Sequence, residues 1–248
     1  MDRAIYIAMT GAKHNMLAQT SHSNNLANAT TTGFRADWEQ ARAMPVFGEY
    51  YPSRAFSNTE RPATDFNDGP LVETGNELDV AITGDGFFAV QDAEGNEAYT
   101  RRGDFSVTPV GQLINGSGQP VIGQGGGPIV LPPYEKVEIG EDGTISIRPA
   151  GAGPNEMAVI DGLKIVNPDL QNLDKGTDGL FRPREGEQVL EDDPALSVVS
   201  GFVEGSNVNP VHELTNVLAL NRQYELQVKM MKTIEEITRS SEQILRLS

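Results

Sequence analysis

Helix-forming sequence is confined to the two ends of this chain, about residues 1–32 and 210–248. Residues 211–248 contain neither Gly nor Pro, although the 248-residue chain holds 26 Gly and 15 Pro. The long segment between the ends is instead rich in Gly, Pro and short β-type runs. A chain with helices only at its extremities can pair them and offer the pair to a partner. Assembly is therefore the first functional hypothesis.

The first helical segment carries a pattern of alternating four- and three-residue spacings. The pattern is apolar over its first four positions and then polar at two of the last three, as at the seam of a coiled coil. It consists of Ile5, Met9, Ala12, Met16, Gln19, Ser23 and Leu26. The threonines at 30–32 disfavour helix, and Gly33 can adopt the left-handed conformation that ends one. We expect the helix to end near residue 32.

The last helical segment has a clear beginning. Asn209 can cap it, Pro210 suits the first helical position, and Glu213 lies in the positively polarised first turn. Polar residues within it are predicted to fix the register of a helix pair, namely Asn221, Gln227 and Thr238. Its apolar stripe consists of Leu214, Val217, Leu220, Tyr224, Val228, Met231, Ile234 and Ile237. The alternative is an ordinary amphipathic helix on a globular core.

The middle of the chain is predicted to be β structure. A strand is expected at 87–90 after a Gly84–Gly86 turn, then a hairpin loop at 92–96 before a second strand at 99–107. Further short apolar runs occur at 78–82, 112–114, 120–122, 129–131, 137–139, 145–147 and 163–166. Turn signals separate them at 115–116, 142–143 and 161–162. This spacing favours a small β-sandwich or barrel over βαβ units.

The predicted fold class is α+β, a discontinuous helical coiled-coil domain from both termini plus a β-rich middle domain. Residues 1–36 and 207–248 form the helical domain, and residues 73–180 form the β-rich outer domain. Residues 37–72 and 181–206, which contain several prolines, are expected to be extended connectors.

Charge is distributed unevenly along the chain. The net charge is −16, yet the two helical ends sum to +2, so residues 37–206 carry −18. Charge of that size repels polyanions, which makes nucleic acid and anionic membranes poor partners for the middle. The near-neutral ends can crowd against copies of themselves.

No catalytic or cofactor-binding pattern stands out. The chain has no cysteine, and its Gly-rich stretch at 123–128 lacks the ending of a phosphate loop. Two acidic loops, 92–97 and 141–143, lack calcium-loop spacing. The three histidines, at 14, 22 and 212, lie in the helical ends, and the two on the first helix are too far apart to chelate one ion. We predict no enzyme activity, no cofactor and no metal.

The first residues lack the apolar core of a secretory signal, and no run is long enough to span a bilayer. These features alone predict a cytoplasmic protein, unless export uses an uncleaved signal.

Four stretches resemble the common blocks of flagellar rod and hook axial proteins. They are Ser23–Phe34 (SNNLANATTTGF), residues 74–88, Tyr99–Phe105 (YTRRGDF), and residues 204–211 together with 222–225. They span almost the whole chain in the order typical of that family. The chain length and the opening and closing segments favour the proximal rod type over the distal rod type and over the longer hook proteins. Pro210 departs from the family pattern and leaves the helix boundary open.

The resemblance implies that the terminal helices form an inner coiled-coil domain and that copies stack into the periplasmic driveshaft of the flagellar basal body. It implies other rod proteins and copies of the chain as partners, and export through the flagellar type III apparatus without a cleaved signal. Contact with the surrounding ring proteins is left open. Besides a distal rod protein, the alternative from another class is a secreted binding module with a helical stalk.

The residues assigned to the assembly interface come from both helices and from the segment after the first. In that segment, the amides are expected to satisfy backbone groups where the helix ends, with Gly33 permitting a turn and Phe34 anchoring it. The assigned residues are Ile5, Met9, Ala12, Met16, Asn24, Asn25, Leu26, Asn28, Gly33, Phe34, Leu214, Val217, Leu220, Tyr224, Val228, Met231 and Ile234.

Overall fold

The computed structural model describes residues 2–47, 51–151, 153, 156–184 and 190–246. The remaining positions of the predicted domains, 1, 48–50, 152, 154–155, 185–189 and 247–248, lie outside the described residues. The described residues combine many strands with one helix at each end of the chain. The fold is therefore of mixed α and β type, and it divides into two compact units. Unit 1 comprises the described residues of 1–29, 36–65 and 208–248, and unit 2 those of 30–35 and 66–207.

Unit 1 contains both helices. Helix α1 covers Asp2–Ala27 and helix α2 covers Pro210–Arg246. The predicted end of α1 near residue 32 is wrong by about one turn, because the Asn28 amide closes the last turn on the carbonyls of Asn24 and Asn25, both at 3.1 Å. Gly33 does adopt a left-handed conformation, with φ of 65°, but it lies beyond the helix.

The start of α2 is as the sequence predicted. The Asn209 side-chain oxygen accepts hydrogen bonds from the amides of Val211 and His212, at 3.1 and 3.2 Å. Pro210 occupies the first helical position, where its missing N–H leaves no donor unpaired. With 37 residues, α2 is about 56 Å long at 1.5 Å per residue.

Unit 1 also contains a long β-hairpin that the sequence did not suggest. Strand β1 (Asp37–Phe47) pairs antiparallel with β2 (Pro52–Thr64) across ten residue pairs. Both strands lie in the segment predicted to be an extended connector. Helix α1 packs against this hairpin as well as against α2, so the hairpin belongs to the same compact unit as the helices.

Unit 2 is built from short antiparallel strands. Its strands are β3 Leu71–Glu73, β4 Val80–Thr83, β5 Phe87–Gln91, β6 Glu97–Thr100, β7 Phe105–Val107, β8 Leu113–Asn115, β9 Tyr134–Ile139, β10 Thr144–Pro149, β11 Ala158–Gly162, β12 Ile165–Val166, β13 Leu173–Lys175, β14 Phe181–Pro183, β15 Ser197–Ser200 and β16 Phe202–Glu204. Within the described residues, the largest sheet has the order β12-β5-β6-β14-β13, and a second has the order β11-β10-β9. Three two-stranded sheets pair β15 with β4, β16 with β3 and β7 with β8.

Several predicted strands and turns are confirmed and others are corrected. Strand β5 and the loop to β6 lie where they were predicted. The run at 99–107 is broken at 101–104, because the Val80 amide donates to the Gly103 carbonyl, at 2.9 Å, and diverts the chain. The apolar runs at 120–122 and 129–131 form only isolated bridges. Residues 161–162 lie in strand β11 rather than in a turn, because they pair with β10.

Strand β5 lies between two apolar cores of unit 2 and is buried on both faces. Phe88 and Val90 point into the larger apolar core, which also takes side chains from β4, β9 and β10. Phe87 and Ala89 point the opposite way, as alternation along a strand requires. There they join a second core around Tyr99.

The charge also separates with the units, although less sharply than with the sequence segments. Residues 30–35 and 66–207 carry 24 acidic and 9 basic side chains, a net charge of −15. The segments of unit 1 carry 11 acidic and 10 basic side chains, a net of −1. The near-neutral part of the chain therefore includes the hairpin as well as the helices.

Candidate assembly surface

The contact between α1 and α2 buries small and polar residues. Among the described side chains, the buried residues of α1 are Ala8, Gly11, Ala12 and Asn25, and the buried residue of α2 is Glu213. The Gln227 amide lies directly over Gly11, where a Cβ would come within 2.5 Å of its nitrogen. The small residues of α1 thus bring α2 close to its backbone, and none of the described side chains that is both large and apolar is fully enclosed between the two helices.

Polar contacts fix the two helices in unit 1. His22 Nδ1 lies 2.5 Å from Glu213 Oε2, and both side chains are largely buried. Gln227 lies near the other end of α1, over Gly11. These two positions show that the helices run antiparallel. Gln227 therefore occupies a contact position, as its predicted register role requires, although that role stays a prediction.

The predicted seam of α1 is rotated from the face that contacts its neighbours. Ala12 is buried and Ile5 and Leu26 are half-buried, but Met9 and Met16 are 51% and 62% exposed. The face that is actually covered runs through Ala8, Gly11, Asn15 and His22. Short side chains are needed there because the Gln227 amide approaches the α1 backbone, so the methionines lie outside this contact.

The predicted stripe of α2 is its less exposed face. Five of its members are half-buried, namely Val217, Leu220, Val228, Met231 and Ile234. Leu214, Tyr224 and Ile237 are exposed, at 49%, 37% and 50%. Within the described part of α2, no apolar member of this stripe is fully buried, so the fold of one chain covers the stripe only in part.

The structure exposes a second set of large apolar side chains that the sequence analysis missed. On α1 these are Tyr6, Ile7 and Leu17, and on α2 they are Val211, Leu218, Leu226 and Met230. The hairpin adds Trp38, Met44, Val46 and Phe47. The sequence could have indicated this second set, because apolar residues lie directly beside the stripe, such as Leu218 next to Val217. They widen the apolar face beyond one seam.

The asparagines at the C-terminal end of α1 do satisfy backbone groups. The Asn25 amide donates to the Asp37 carbonyl, at 2.9 Å, and its oxygen accepts from the Asp37 amide, at 3.0 Å, so this side chain holds the first residue of β1. The side-chain amide of Asn28 donates a second hydrogen bond to the Asn24 carbonyl, at 2.9 Å, beside the one from the Asn28 backbone amide. Each pairing satisfies backbone groups where the helical hydrogen bonds stop.

Phe34 is anchored within unit 2. The Lys175 ammonium lies 4.1 Å from the centre of the Phe34 ring, in cation–π geometry. The same ammonium donates to the Arg35 carbonyl, at 2.6 Å. Gly33, one residue earlier, donates its amide to the Glu204 carbonyl, at 2.7 Å. The sequence prediction of a turn at Gly33 and an anchor at Phe34 is thus given a local basis.

In the acidic loop at 92–97, the Asp92 carboxylate is occupied by hydrogen bonds from within unit 2. Asp92 accepts from the amides of Glu94 and Asn96, at 2.9 and 2.8 Å, and from Arg182 at 3.0 Å. Burial acts to raise the pKa of Asp92, but these hydrogen bonds and the Arg182 charge outweigh it and hold the pKa below its usual range. No group of three or more metal-binding side chains occurs among the described residues. The loop is a hairpin turn closed by its own aspartate.

Burial raises the pKa of Tyr99 to about 12, and its oxygen accepts a hydrogen bond from the Leu190 amide, at 3.0 Å. Tyr99 lies in the second core of unit 2. The raised pKa of Tyr99 is therefore explained by its burial in this core.

Membrane insertion finds no support in the helices. Across residues 2–47, 51–151, 153, 156–184 and 190–246, no helix joins the length and the apolar character that a membrane span needs.

Two family models match this chain. Residues 81–147 match the flagellar hook protein FlgE/F/G D1 domain, and residues 199–244 match the flagellar basal body rod FlgEFG protein C-terminal model. The first match lies within unit 2, and the second ends in α2.

Full-length relatives agree with these matches. The chain is 40% identical to the flagellar basal-body rod protein FlgF of Salmonella typhimurium and to that of Escherichia coli, over 100% of both chains in each case. It is 34% identical to FlgF of Caulobacter vibrioides, with 97% of each chain covered. The chain therefore belongs to the flagellar basal-body rod protein family.

Proposed function

We propose that this chain is a structural subunit of the proximal rod of the bacterial flagellum. Copies polymerise through their terminal helices into the axial driveshaft that transmits motor torque to the hook. The relatives are named as basal-body rod proteins, which supports a rod role. The chain length and the opening and closing segments support the proximal assignment.

One observation carries this proposal. In unit 1 the buried helical residues are small or polar, while large apolar side chains of both helices remain exposed or half-buried across the described residues. Burying one such side chain contributes roughly 1.5–3 kcal/mol. Apolar surface of this extent marks an interaction site. The uncovered surface lies on the two helices and the hairpin of the near-neutral unit.

The coiled coil belongs to this proposal. The α1–α2 pair supplies two antiparallel helices held by Gln227 over Gly11 and by the His22–Glu213 contact. Neighbouring copies then complete the packing around the exposed side chains. The net charge of −1 in unit 1 lets many copies approach closely, while −15 in the β-rich unit 2 keeps that unit hydrated.

An open surface of α2 offers one place for such a neighbour. It is lined by Leu218, Ala219 and Arg222, together with Thr215, Asn221 and Glu225. Two of these residues are apolar, and the other four are polar or charged. A helix from another subunit fits this chemistry, because its apolar face can cover Leu218 while its polar residues meet the polar and charged side chains.

The proposed partners are other rod and hook components and further copies of the chain. We place the assembled protein in the periplasmic rod, after export through the flagellar type III apparatus without a cleaved signal. Contact with surrounding ring proteins would fall to the hydrated unit 2. The role is structural and needs no catalysis.

A distal position in the rod is the second candidate. A flagellar basal-body rod protein FlgG of Buchnera aphidicola is 31% identical over 97% of this chain. The position of the protein along purified rods separates the two candidates.

The test is incorporation into basal bodies in a strain that lacks the native subunit. The wild-type chain is expected to restore rods and motility, and Leu218→Asp is expected to prevent incorporation, because it places a charge on an exposed apolar position. Thr177→Asp, at an exposed turn of unit 2, serves as the control and is expected to assemble normally. A Leu218→Asp chain that assembles and supports swimming contradicts the proposed surface.

A further inference from the structure

The chain passes between the two units at four points, after residues 29, 35, 65 and 207. Unit 2 therefore holds one six-residue segment, 30–35, and one long segment that begins at 66 and ends at 207. Three stretches of unit 2 lie next to these points, namely 33–35, 66–70 and 204–207. All three carry residues of one buried charged cluster.

The cluster consists of two arginines and two carboxylates. The side chains of Arg35, Arg101 and Glu204 are each only 2% exposed. One Glu204 oxygen lies 2.8 Å from an Arg35 nitrogen, and the other lies 2.7 Å from Arg101 Nε. Asp68, which is about half exposed, contacts both arginines, at 2.7 and 2.9 Å. Each carboxylate thus bridges both guanidinium groups.

Backbone hydrogen bonds connect the same stretches. The Gly33 amide donates to the Glu204 carbonyl, at 2.7 Å, and the Asn207 amide donates to the Phe34 carbonyl, at 3.3 Å. The Gly69 amide donates to Glu204 Oε1, at 3.0 Å, and Gly205 donates to the Pro70 carbonyl, at 2.8 Å. Glu204 therefore takes part through its carbonyl and through both side-chain oxygens.

Arg101 ties this cluster to the body of unit 2. Its guanidinium donates to the carbonyls of Gly84 and Gly86, at 2.7 and 2.5 Å, in the turn that leads into β5. It also lies 5.8 Å from the ring centre of Phe87, which belongs to the second core. The charged cluster is therefore attached to the best-packed strand of the unit.

Buried ion pairs contribute little net stability, because desolvation offsets their attraction, but removing one partner is strongly destabilising. Their geometry nevertheless fixes the position of every group involved. Here those groups come from stretches that are more than 100 residues apart in the chain, such as 33–35 and 204–207.

We propose that Arg35, Asp68, Arg101 and Glu204 form a clasp that holds the points where the chain enters and leaves unit 2, with Glu204 as its positioning residue. Under the proposed function, load that passes through the covalent links between the units enters unit 2 at the clasp. The mechanical role of the clasp rests on the proposed function, whereas the clasp itself is a property of the folded chain.

Amide hydrogen exchange on the full-length chain tests the clasp. In Glu204→Gln the exchange of segments 30–35, 66–70 and 203–207 is expected to become roughly a hundredfold faster, and β5 and β6 should lose less protection than these segments. Glu97→Gln is the matched control. It removes a different largely buried carboxylate of unit 2, which lies 2.7 Å from Lys164 Nζ, and it should leave the three segments protected.

Asp68→Asn supplies a milder variant in case Glu204→Gln unfolds unit 2, because Asp68 is half exposed and contacts both arginines. It should raise exchange in the same three segments by a smaller factor. Unchanged protection of these segments in a folded Glu204→Gln chain, or in Asp68→Asn if the first variant unfolds, overturns the clasp. Equal loss of protection in Glu97→Gln also overturns it. Exchange does not depend on rod assembly, so the clasp and the proposed function can fail separately.

Discussion

Gly33 gives the most specific stability prediction, because a side chain there meets two independent obstacles. Its φ is 65°, a conformation that costs other residues about 1–2 kcal/mol. A Cβ at this position would also lie 2.5 Å from the backbone of Arg101 and of Arg102. Backbone atoms cannot rotate away as a flexible side chain can, so overpacking adds about 1–3 kcal/mol. Gly33→Ala should therefore destabilise unit 2 by roughly 2–5 kcal/mol.

Two other glycines separate these contributions. Gly75 has φ of 71° and open space around its Cβ position, so Gly75→Ala should lose only about 1–2 kcal/mol. Gly69 is not in the left-handed region, but its Cβ would collide with the Gly205 carbonyl. Gly69→Ala should therefore lose only the overpacking contribution, about 1–3 kcal/mol.

The assay is native-state hydrogen exchange of the β5 and β6 amides in the full-length chain, which gives the free energy of unfolding of unit 2. Fluorescence of Trp38, the single tryptophan, reports on unit 1 and should not change. If Gly33→Ala lowers the unfolding free energy no more than Gly75→Ala does, the contact with the Arg101 and Arg102 backbone has no cost and the prediction is wrong.

Two further predictions concern other parts of the chain. Because the pKa of Asp92 is lowered in the folded state, its contribution to stability is present above the ordinary aspartate value of about 3.9 and is lost as the pH falls through the lower folded pKa. Asp92→Asn should lower unit 2 stability at neutral pH by about 1–2 kcal/mol and flatten its acid dependence, as measured by exchange against pH; an unchanged acid profile contradicts this. Gly11→Ala should destabilise unit 1 by about 1–2 kcal/mol, because its Cβ would lie within 2.8 Å of three side-chain atoms of Gln227 and the overpacking cost of about 1–3 kcal/mol exceeds the gain of up to about 1 kcal/mol in helix propensity. Denaturant unfolding followed by Trp38 fluorescence measures this, and a gain in stability would mean that the Gln227 amide moves aside and does not fix the helix pair.

Local signals predicted the helix ends and turns that depend on nearby residues. The Asn209 cap and Pro210 needed only the residues that follow them, and the β5–β6 hairpin needed only an acidic, Gly-containing loop between two apolar runs. The end of α1 was less predictable. The Asn28 amide closes the helix before the threonines at 30–32, which the sequence analysis treated as part of its end.

Features that depend on distant partners were missed. The strands of the β1–β2 hairpin contain Pro45, Pro52 and Pro62, and proline argues against a strand in a sequence, so this segment was predicted to be a connector. The covered face of α1 depends on Gln227, more than 200 residues away, which favours Gly11 and Ala8 over the larger Met9. The sequence indicated Glu204 only as the first residue of segment 204–211, which resembles a block of the flagellar rod and hook proteins. Nothing near it in the sequence indicates that it neutralises arginines at 35 and 101.

If assembly covers the exposed apolar faces of unit 1, side chains on those faces become protected in the assembled rod. The chain has no cysteine, so Met16→Cys and Leu218→Cys each introduce a single thiol at a position that is 62% or 57% exposed. Thiol labelling should be complete in the monomer and strongly suppressed in purified basal bodies, whereas Thr177→Cys in unit 2 should label in both. Equal labelling of the two helix positions in monomer and basal bodies would show that assembly does not cover these faces.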